Sequence, residues 1–129
     1  MNKILVEVSV GELLDKISIL EIKKDRIKDS TKLKFINEEY EVLKNELDKN
    51  IKIDEKLAKF FTALKNVNSK LWIIEDEKRK CEKDSDFGEN FIRLSRDVHF
   101  LNDTRAKIKL DINNHTGSKI KEIKEYTSY

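Results

Sequence analysis

The feature that most restricts the fold of this chain is its lack of proline: none occurs among 129 residues, and only three glycines are present. Proline breaks a helix because its ring removes a backbone donor and clashes with the preceding turn, and glycine is common just past helix ends. Gly11, Gly88 and Gly117 each stand where a helix is expected to begin or end. The sequence therefore favours long, uninterrupted helices.

Apolar residues at intervals of three and four predict four amphipathic helices. The first is expected to begin at Ser9, since the spacing from Ser9 to Glu12 is that of a capping box. Asp29 provides a turn and cap for the second helix, which should continue to about Asn50. Asp54 is expected to cap the third helix.

The ends of the fourth helix carry their own signals. Asp86 and Glu89 have the spacing of another capping box, and Gly117 is expected to close the helix in a left-handed conformation. Beyond it, Ser118 is expected to cap a last short helix over 119–126.

These elements predict an all-α fold, an antiparallel bundle of about four helices, in a single domain over residues 1–129. Residues 3–8 are rich in Ile and Val, so a short extended segment should precede the bundle and either lie on it or pair with another chain. The two longest helices, about 30 residues each, would span roughly 45 Å. That length exceeds what a compact monomer of this size needs, so we expect a homodimer.

Charge and composition exclude several classes of partner. The 27 basic and 25 acidic residues nearly cancel, so neither a nucleic acid nor an anionic membrane is an expected partner. No stretch is long and apolar enough to span a bilayer, and the first residues do not form a secretory signal. Cys81 is the only cysteine, which favours a reducing compartment. We expect a cytoplasmic protein, bacterial or in the host of a phage.

One charged residue interrupts the apolar row of the fourth helix. Arg105 lies among the apolar side chains of that row, where a guanidinium needs a carboxylate or an anionic ligand. Glu21 occupies a similar position on the first helix. Two interpretations are open: a structural ion pair between helices, or a site in which Arg105 binds a carboxylate or phosphate while Glu21 orients it. Lys16 and Lys23 could then assist.

Several acidic residues are candidates for proton transfer or for contacts to a ligand. Glu75, Asp76, Asp15 and Asp103 could act as general acids and bases or supply oxygen ligands to a hard cation. His99 precedes Asp103 by four residues and could form an acid–base dyad with it, although a lone histidine on a helix surface is usually inert. The paired Glu-x-x-His elements of di-iron bundles are absent and only two histidines exist, so a metal is not expected. The sequence contains no cofactor motif, so no cofactor is expected either.

A side row of the third helix changes from apolar to polar along its length, as a helix that lines a pocket does. The row contains Asn68, Trp72, Glu75 and Arg79. Trp72 is either a core residue or a stacking platform for a sugar or base. Asn102, on a polar strip of the fourth helix, suits either close helix contact or hydrogen bonds to a ligand.

Three stretches, residues 8–27, 71–79 and 95–126, resemble a family of small bacterial and phage proteins known as a domain of unknown function. The resemblance extends over nearly the whole chain and assigns no functional residue. Members of that family often occur beside surface-polysaccharide genes, which implies a role near sugar metabolism.

The leading hypothesis is a polar pocket among helices 1, 3 and 4 that binds a small anionic metabolite, such as a phosphorylated or nucleotide-linked sugar. Proton transfer is available to the pocket acids, and whether the protein is an enzyme is left open. One alternative is a non-catalytic homodimeric assembly module. Another is a magnesium-dependent, all-α nucleotide pyrophosphatase, which requires carboxylates from two helices to converge.

Overall fold

The computed structural model describes residues 3–120 and 122–129. Four α-helices follow one another in this part of the chain: α1 (Val10–Arg26), α2 (Ser30–Asn50), α3 (Glu55–Lys83) and α4 (Glu89–Thr116). The expected all-α bundle of four helices is confirmed, and the two longest helices, of 29 and 28 residues, match the predicted length. None of the described helices has the length and apolar content needed to cross a bilayer.

Side-chain caps begin the first three helices as predicted. In each, an oxygen of the cap residue accepts a hydrogen bond from the amide three residues later, which satisfies one of the free donors of the first turn. The bonds run from Glu12 N to Ser9 Oγ (3.1 Å), from Lys32 N to Asp29 Oδ1 (3.0 Å) and from Leu57 N to Asp54 Oδ1 (2.7 Å).

The predicted cap of α4 by Asp86 is wrong. Gly88 is the N-cap residue of α4 and has no side-chain cap bond, whereas Asp86 Oδ1 accepts from Gly88 N at 3.2 Å. The chain leaves α3 through Ser85, whose φ of 54° is left-handed, and α4 begins at Glu89. At the other end, Gly117 adopts the predicted left-handed conformation, with φ of 69°.

The last predicted helix does not form. Residues 118–120 and 122–129 contain no regular secondary structure, and position 121 lies outside the described residues. This segment, the C-terminal tail, is instead bound to α4 through side chains: Glu122 contacts Lys109, and Tyr129 donates a hydrogen bond to Asp103. A helix of eight residues is too short to be stable without such packing.

α1 is the central element of the bundle, because it packs against each of the other three helices. The α3 and α4 helices pack against each other, while the backbone of α2 approaches only that of α1. Six fully buried side chains from all four helices form the core: Leu14, Ile17, Leu47, Leu57, Leu64 and Ile112. Leu47 is the only buried residue of α2.

Contacts at both ends show that α3 and α4 are antiparallel. His115, in the last turn of α4, lies 2.8 Å from the Asp54 carboxylate at the start of α3. At the opposite end, Asn90 Nδ2 donates to Cys81 Sγ at 3.7 Å.

Residues 3–8 lack regular secondary structure and are exposed. Ile4 and Leu5 are 85% and 93% exposed, so the expectation that this segment lies on the bundle is wrong.

Candidate functional site

A groove between α1, α3 and α4 brings together six of the residues that the sequence singled out. Its volume is about 470 Å³. Ile19 and Ile22 form the α1 wall, and Arg105 projects from α4. The wall supplied by α3 consists of Asn68, Leu71, Trp72, Glu75, Asp76 and Arg79. These are the three helices expected to enclose a pocket.

Arg105 is half-buried in the wall of this groove and is held by two neutral amides. Its Nη1 donates to Asn68 Oδ1 at 3.1 Å and its Nη2 to Asn102 Oδ1 at 2.6 Å. Within the described part of the chain, no carboxylate forms an ion pair with it. The positive charge is therefore positioned but not neutralised, and the remaining N–H donors of the guanidinium are available to a ligand.

The predicted pairing of Arg105 with Glu21 is wrong. Glu21 Oε1 accepts from Lys65 Nζ at 3.0 Å, and Glu21 Oε2 accepts from Tyr40 Oη at 3.4 Å. Burial and the neighbouring Glu21 charge raise the pKa of Tyr40. Successive residues of a helix point about 100° apart, and it is Ile22 rather than Glu21 that lines the groove.

Asn68 fixes the orientation of Arg105. Its Nδ2 donates to Asp15 Oδ1 at 2.7 Å and to Ser18 Oγ at 2.8 Å, and all three residues are buried. Because an ionised carboxylate can only accept, the amide nitrogen must face Asp15. The amide oxygen of Asn68 is then directed at Arg105. Asp15 therefore acts behind the groove as a support and not as a ligand contact.

Lys109 is the buried charge that the sequence analysis missed. Its side chain is only 10% exposed, and Nζ lies 2.6 Å from Glu12 Oε2, 3.0 Å from Glu122 Oε2 and 3.8 Å from Asp15 Oδ2. Burial lowers the pKa of Lys109, but the hydrogen bonds and charges of these carboxylates outweigh it, and the pKa is raised. A sequence signal was present: Lys109 follows Arg105 by four residues and precedes Ile112 by three, on the same row.

His99 and Asp103 lie outside the groove, beneath the C-terminal tail. They line a second cavity of about 890 Å³ together with Asn102 and residues of the tail. The expected His99–Asp103 dyad does not form: Asp103 accepts from Tyr129, and this bond raises the pKa of the Tyr129 hydroxyl. The His99 ring packs against the Tyr129 ring, with centroids 5.3 Å apart.

Lys16 and Lys23 do not line the groove either. Lys16 is exposed and lies 3.9 Å from Glu12 on its own helix. The expected assistance of these two lysines to an anion at Arg105 is therefore not supported by their placement.

Glu75 and Asp76 do lie at the groove, where they are exposed. Asp76 Oδ2 is 3.4 Å from Lys80 Nζ, one turn further along α3. Among residues 3–120 and 122–129, no three acidic, histidine or cysteine side chains converge as a metal site would require. The acids that line the groove, Glu75 and Asp76, both come from α3, so the convergence of carboxylates from two helices that a magnesium-dependent pyrophosphatase needs is not found in the groove formed by the described residues.

Comparison with protein families shows that the model of a family of unknown function (DUF6165) matches residues 4–129. Since the match extends over nearly the whole chain, the protein belongs to this family, as the resemblance of its sequence predicted. No curated protein and no solved structure matches the chain.

Proposed function

We propose that this family member binds a small anionic metabolite in the groove, with the anionic group at Arg105, and that the ligand is a phosphorylated or nucleotide-linked sugar. The supporting observation is the half-buried guanidinium, whose partners in the described chain are the neutral amides of Asn68 and Asn102. Burying a charge beside neutral groups alone is unfavourable, so an anion that completes its contacts gains more here than at an exposed arginine.

The rest of the groove favours a ligand that is only partly charged. Ile19, Ile22 and Leu71 offer apolar surface, and the Trp72 ring can pack against the apolar face of a sugar. Glu75 and Asp76 can accept hydrogen bonds from hydroxyl groups but repel a second anionic group placed near them. A phosphate or diphosphate held near Arg105, with sugar hydroxyls toward Glu75 and Asp76, satisfies both requirements.

The size of the groove agrees with this class of ligand. Its volume of about 470 Å³ lies within the range of roughly 300 to 1,000 Å³ usual for small-molecule sites. The proposal concerns binding; Glu75 and Asp76 are the groups in the groove through which a proton could be transferred.

The setting proposed for this activity is the cytoplasm of a bacterium or of a phage-infected cell, close to surface-polysaccharide synthesis. We also propose that the protein acts as a homodimer.

A second candidate, a non-catalytic assembly module, is favoured by apolar side chains that the described chain leaves exposed. They lie on α2 and on the two long helices and their connection: Phe35, Val42, Ile73, Phe87 and Ile92. Exposed apolar side chains of this size, when they adjoin, mark surfaces that contact other proteins. The two candidates are compatible, since the groove and these side chains do not share residues.

Thermal unfolding with a panel of ligands tests the binding proposal. Sugar phosphates and nucleotide-linked sugars should raise the melting temperature, because a ligand at about 100 times its Kd adds about 2.7 kcal/mol to the stability of the folded state. The corresponding sugars without phosphate should have little effect.

Arg105→Ala should abolish the ligand effect while the protein remains folded, since the variant leaves no buried carboxylate unpaired. Arg96→Ala, an exposed position on the same helix, is the matched control and should respond as the unmodified chain does. Equal ligand responses in the two variants would exclude Arg105 as the anion site. Unfolding of Arg105→Ala would instead favour a structural role for the guanidinium.

A further inference from the structure

Residues 3–8, here called the N-terminal segment, expose apolar side chains that nothing else in the described chain covers. Ile4, Leu5 and Val6 are among the most exposed apolar residues of the protein. The segment has no regular secondary structure. Its backbone takes part in no hydrogen bond within the described residues, so a row of unpaired N–H and C=O groups is open to another strand.

We propose that the N-terminal segment pairs with the same segment of a second copy as a two-stranded antiparallel ribbon, an inference that rests on the homodimer proposed above and not on ligand binding in the groove. Alternate residues of a strand point to opposite faces. One face then carries Ile4, Val6 and Val8, which are all β-branched and suited to strands. The other face carries Lys3, Leu5 and Glu7.

The charges on that second face are self-complementary, which is the reason for assigning the partner as a second copy. When the ribbon is centred on Leu5, Lys3 lies directly opposite Glu7 of the partner subunit. By symmetry, Glu7 lies opposite the partner's Lys3. Two ion pairs therefore flank a central contact between the two copies of Leu5. If the symmetry centre of the ribbon lay between two residues, on either side of Leu5, Lys3 would face an apolar side chain of the partner subunit and both ion pairs would be lost.

The ribbon would separate the two copies, so that the groove of each one stays accessible. The segment leads directly into Ser9, the cap of α1. Each Ser9 lies four residues from the central Leu5, so eight residue steps of about 3.4 Å separate the two caps by roughly 27 Å. The two bundles thus extend from opposite ends of the ribbon. Because a two-stranded ribbon alone is only marginally stable, the association should depend on concentration.

Charge reversal tests the register. Sedimentation equilibrium of the full chain should show a reversible dimer. Lys3→Glu replaces two attractive cross-strand pairs by two repulsive ones, so dimerisation should weaken on the order of tenfold. The double variant Lys3→Glu with Glu7→Lys should restore it. Lys28→Glu, at an exposed position after α1, changes the net charge equally and should have no effect.

Cysteine cross-linking tests the centre of the ribbon, in a Cys81→Ser background. Leu5→Cys places two thiols directly opposite each other, at a Cα separation of about 5 Å that a disulfide can span. Val6→Cys places them diagonally, about 7 to 8 Å apart. Oxidation should therefore link Leu5→Cys faster than Val6→Cys.

Three results would each overturn the proposal. The first is a chain that stays monomeric at every concentration. The second is a dimer that Lys3→Glu leaves as stable as Lys28→Glu does. The third is equal cross-linking at positions 5 and 6. Binding of the segment to lipid vesicles without dimerisation would assign it to a membrane surface instead.

Discussion

Replacing Lys109 by methionine should destabilise the protein far more than the same change at Lys107, two residues earlier on α4. Lys107 is exposed and pairs with Asp111 on its own helix at 3.2 Å. Exposed pairs of this kind contribute about 0 to 1 kcal/mol. Methionine is unbranched and of similar length, so both substitutions remove a charge with little change in packing.

The magnitude at Lys109 follows from the carboxylates that would be left behind. Glu12 and Glu122 are partly exposed and can recover water, whereas the Asp15 side chain is only 10% exposed. Removing one partner of a buried pair costs about 3 to 5 kcal/mol. Asp15 keeps its hydrogen bond from Asn68, so we expect the low end, about 3 kcal/mol. For a domain of this size the melting temperature should fall by about 10 °C.

Urea unfolding at neutral pH, followed by circular dichroism, measures this difference. The free energy of unfolding should fall by about 3 kcal/mol for Lys109→Met and by less than about 1 kcal/mol for Lys107→Met. Adding Asp15→Asn to Lys109→Met should recover part of the loss, because the buried carboxylate is then gone. Equal losses for the two lysine variants would refute the assignment of Lys109 as a buried counter-charge.

Two further predictions concern Gly11 and the C-terminal tail. Gly11→Ala should lower the free energy of unfolding by about 1 to 3 kcal/mol in the same urea assay, because the new Cβ would lie 2.7 Å from the backbone oxygen of Lys109; an increase would mean that helix propensity outweighs the clash. The hydrogen bond from Lys109 lowers the pKa of Glu122 below its ordinary 4.5. The ionised Glu122 carboxylate therefore stabilises the docked tail fully above pH 4.5, and this stabilisation is lost as the pH falls through the lowered pKa that Glu122 has in the folded protein. Amide resonances of residues 122–125 should therefore move toward those of an unstructured peptide on acidification, and Glu122→Gln should show the released resonances already at neutral pH; a pH-independent tail would contradict this linkage.

Helix ends could be predicted from the sequence where the signal is local. A cap such as Ser9 or Asp54 bonds to an amide three residues away, so its partner is fixed by chain distance. The same rule was wrong at Asp86 because its carboxylate accepts from the amide of Gly88, two residues later, and Gly88 is the N-cap of α4. The prediction of a last helix over 119–126 was wrong because contacts of the C-terminal tail with α4 outweigh the local sequence pattern.

The groove was predictable only in part. Its helices followed from the row of Trp72, Glu75 and Arg79 and from the position of Arg105. The partner of Arg105 did not follow, because the axial offset and rotation between helices decide which residue faces which. The burial of Lys109 did not follow from its residue type, because lysine is almost always exposed. Its spacing of four residues from Arg105 was the sequence signal that indicated it.

The backbone of α2 approaches only that of α1, so α2 should be the first helix to detach from the bundle. Because α2 contributes Leu47 and the partly buried Tyr40 and Leu43 to the core, while the other three helices supply most of it, its detachment exposes less apolar surface than global unfolding does. Amide protons of α2 should then exchange with solvent through a partial opening of low free energy, while those of α3 and α4 should exchange only through global unfolding. We therefore expect α2 to detach while α1, α3 and α4, the helices that form the groove, remain packed together.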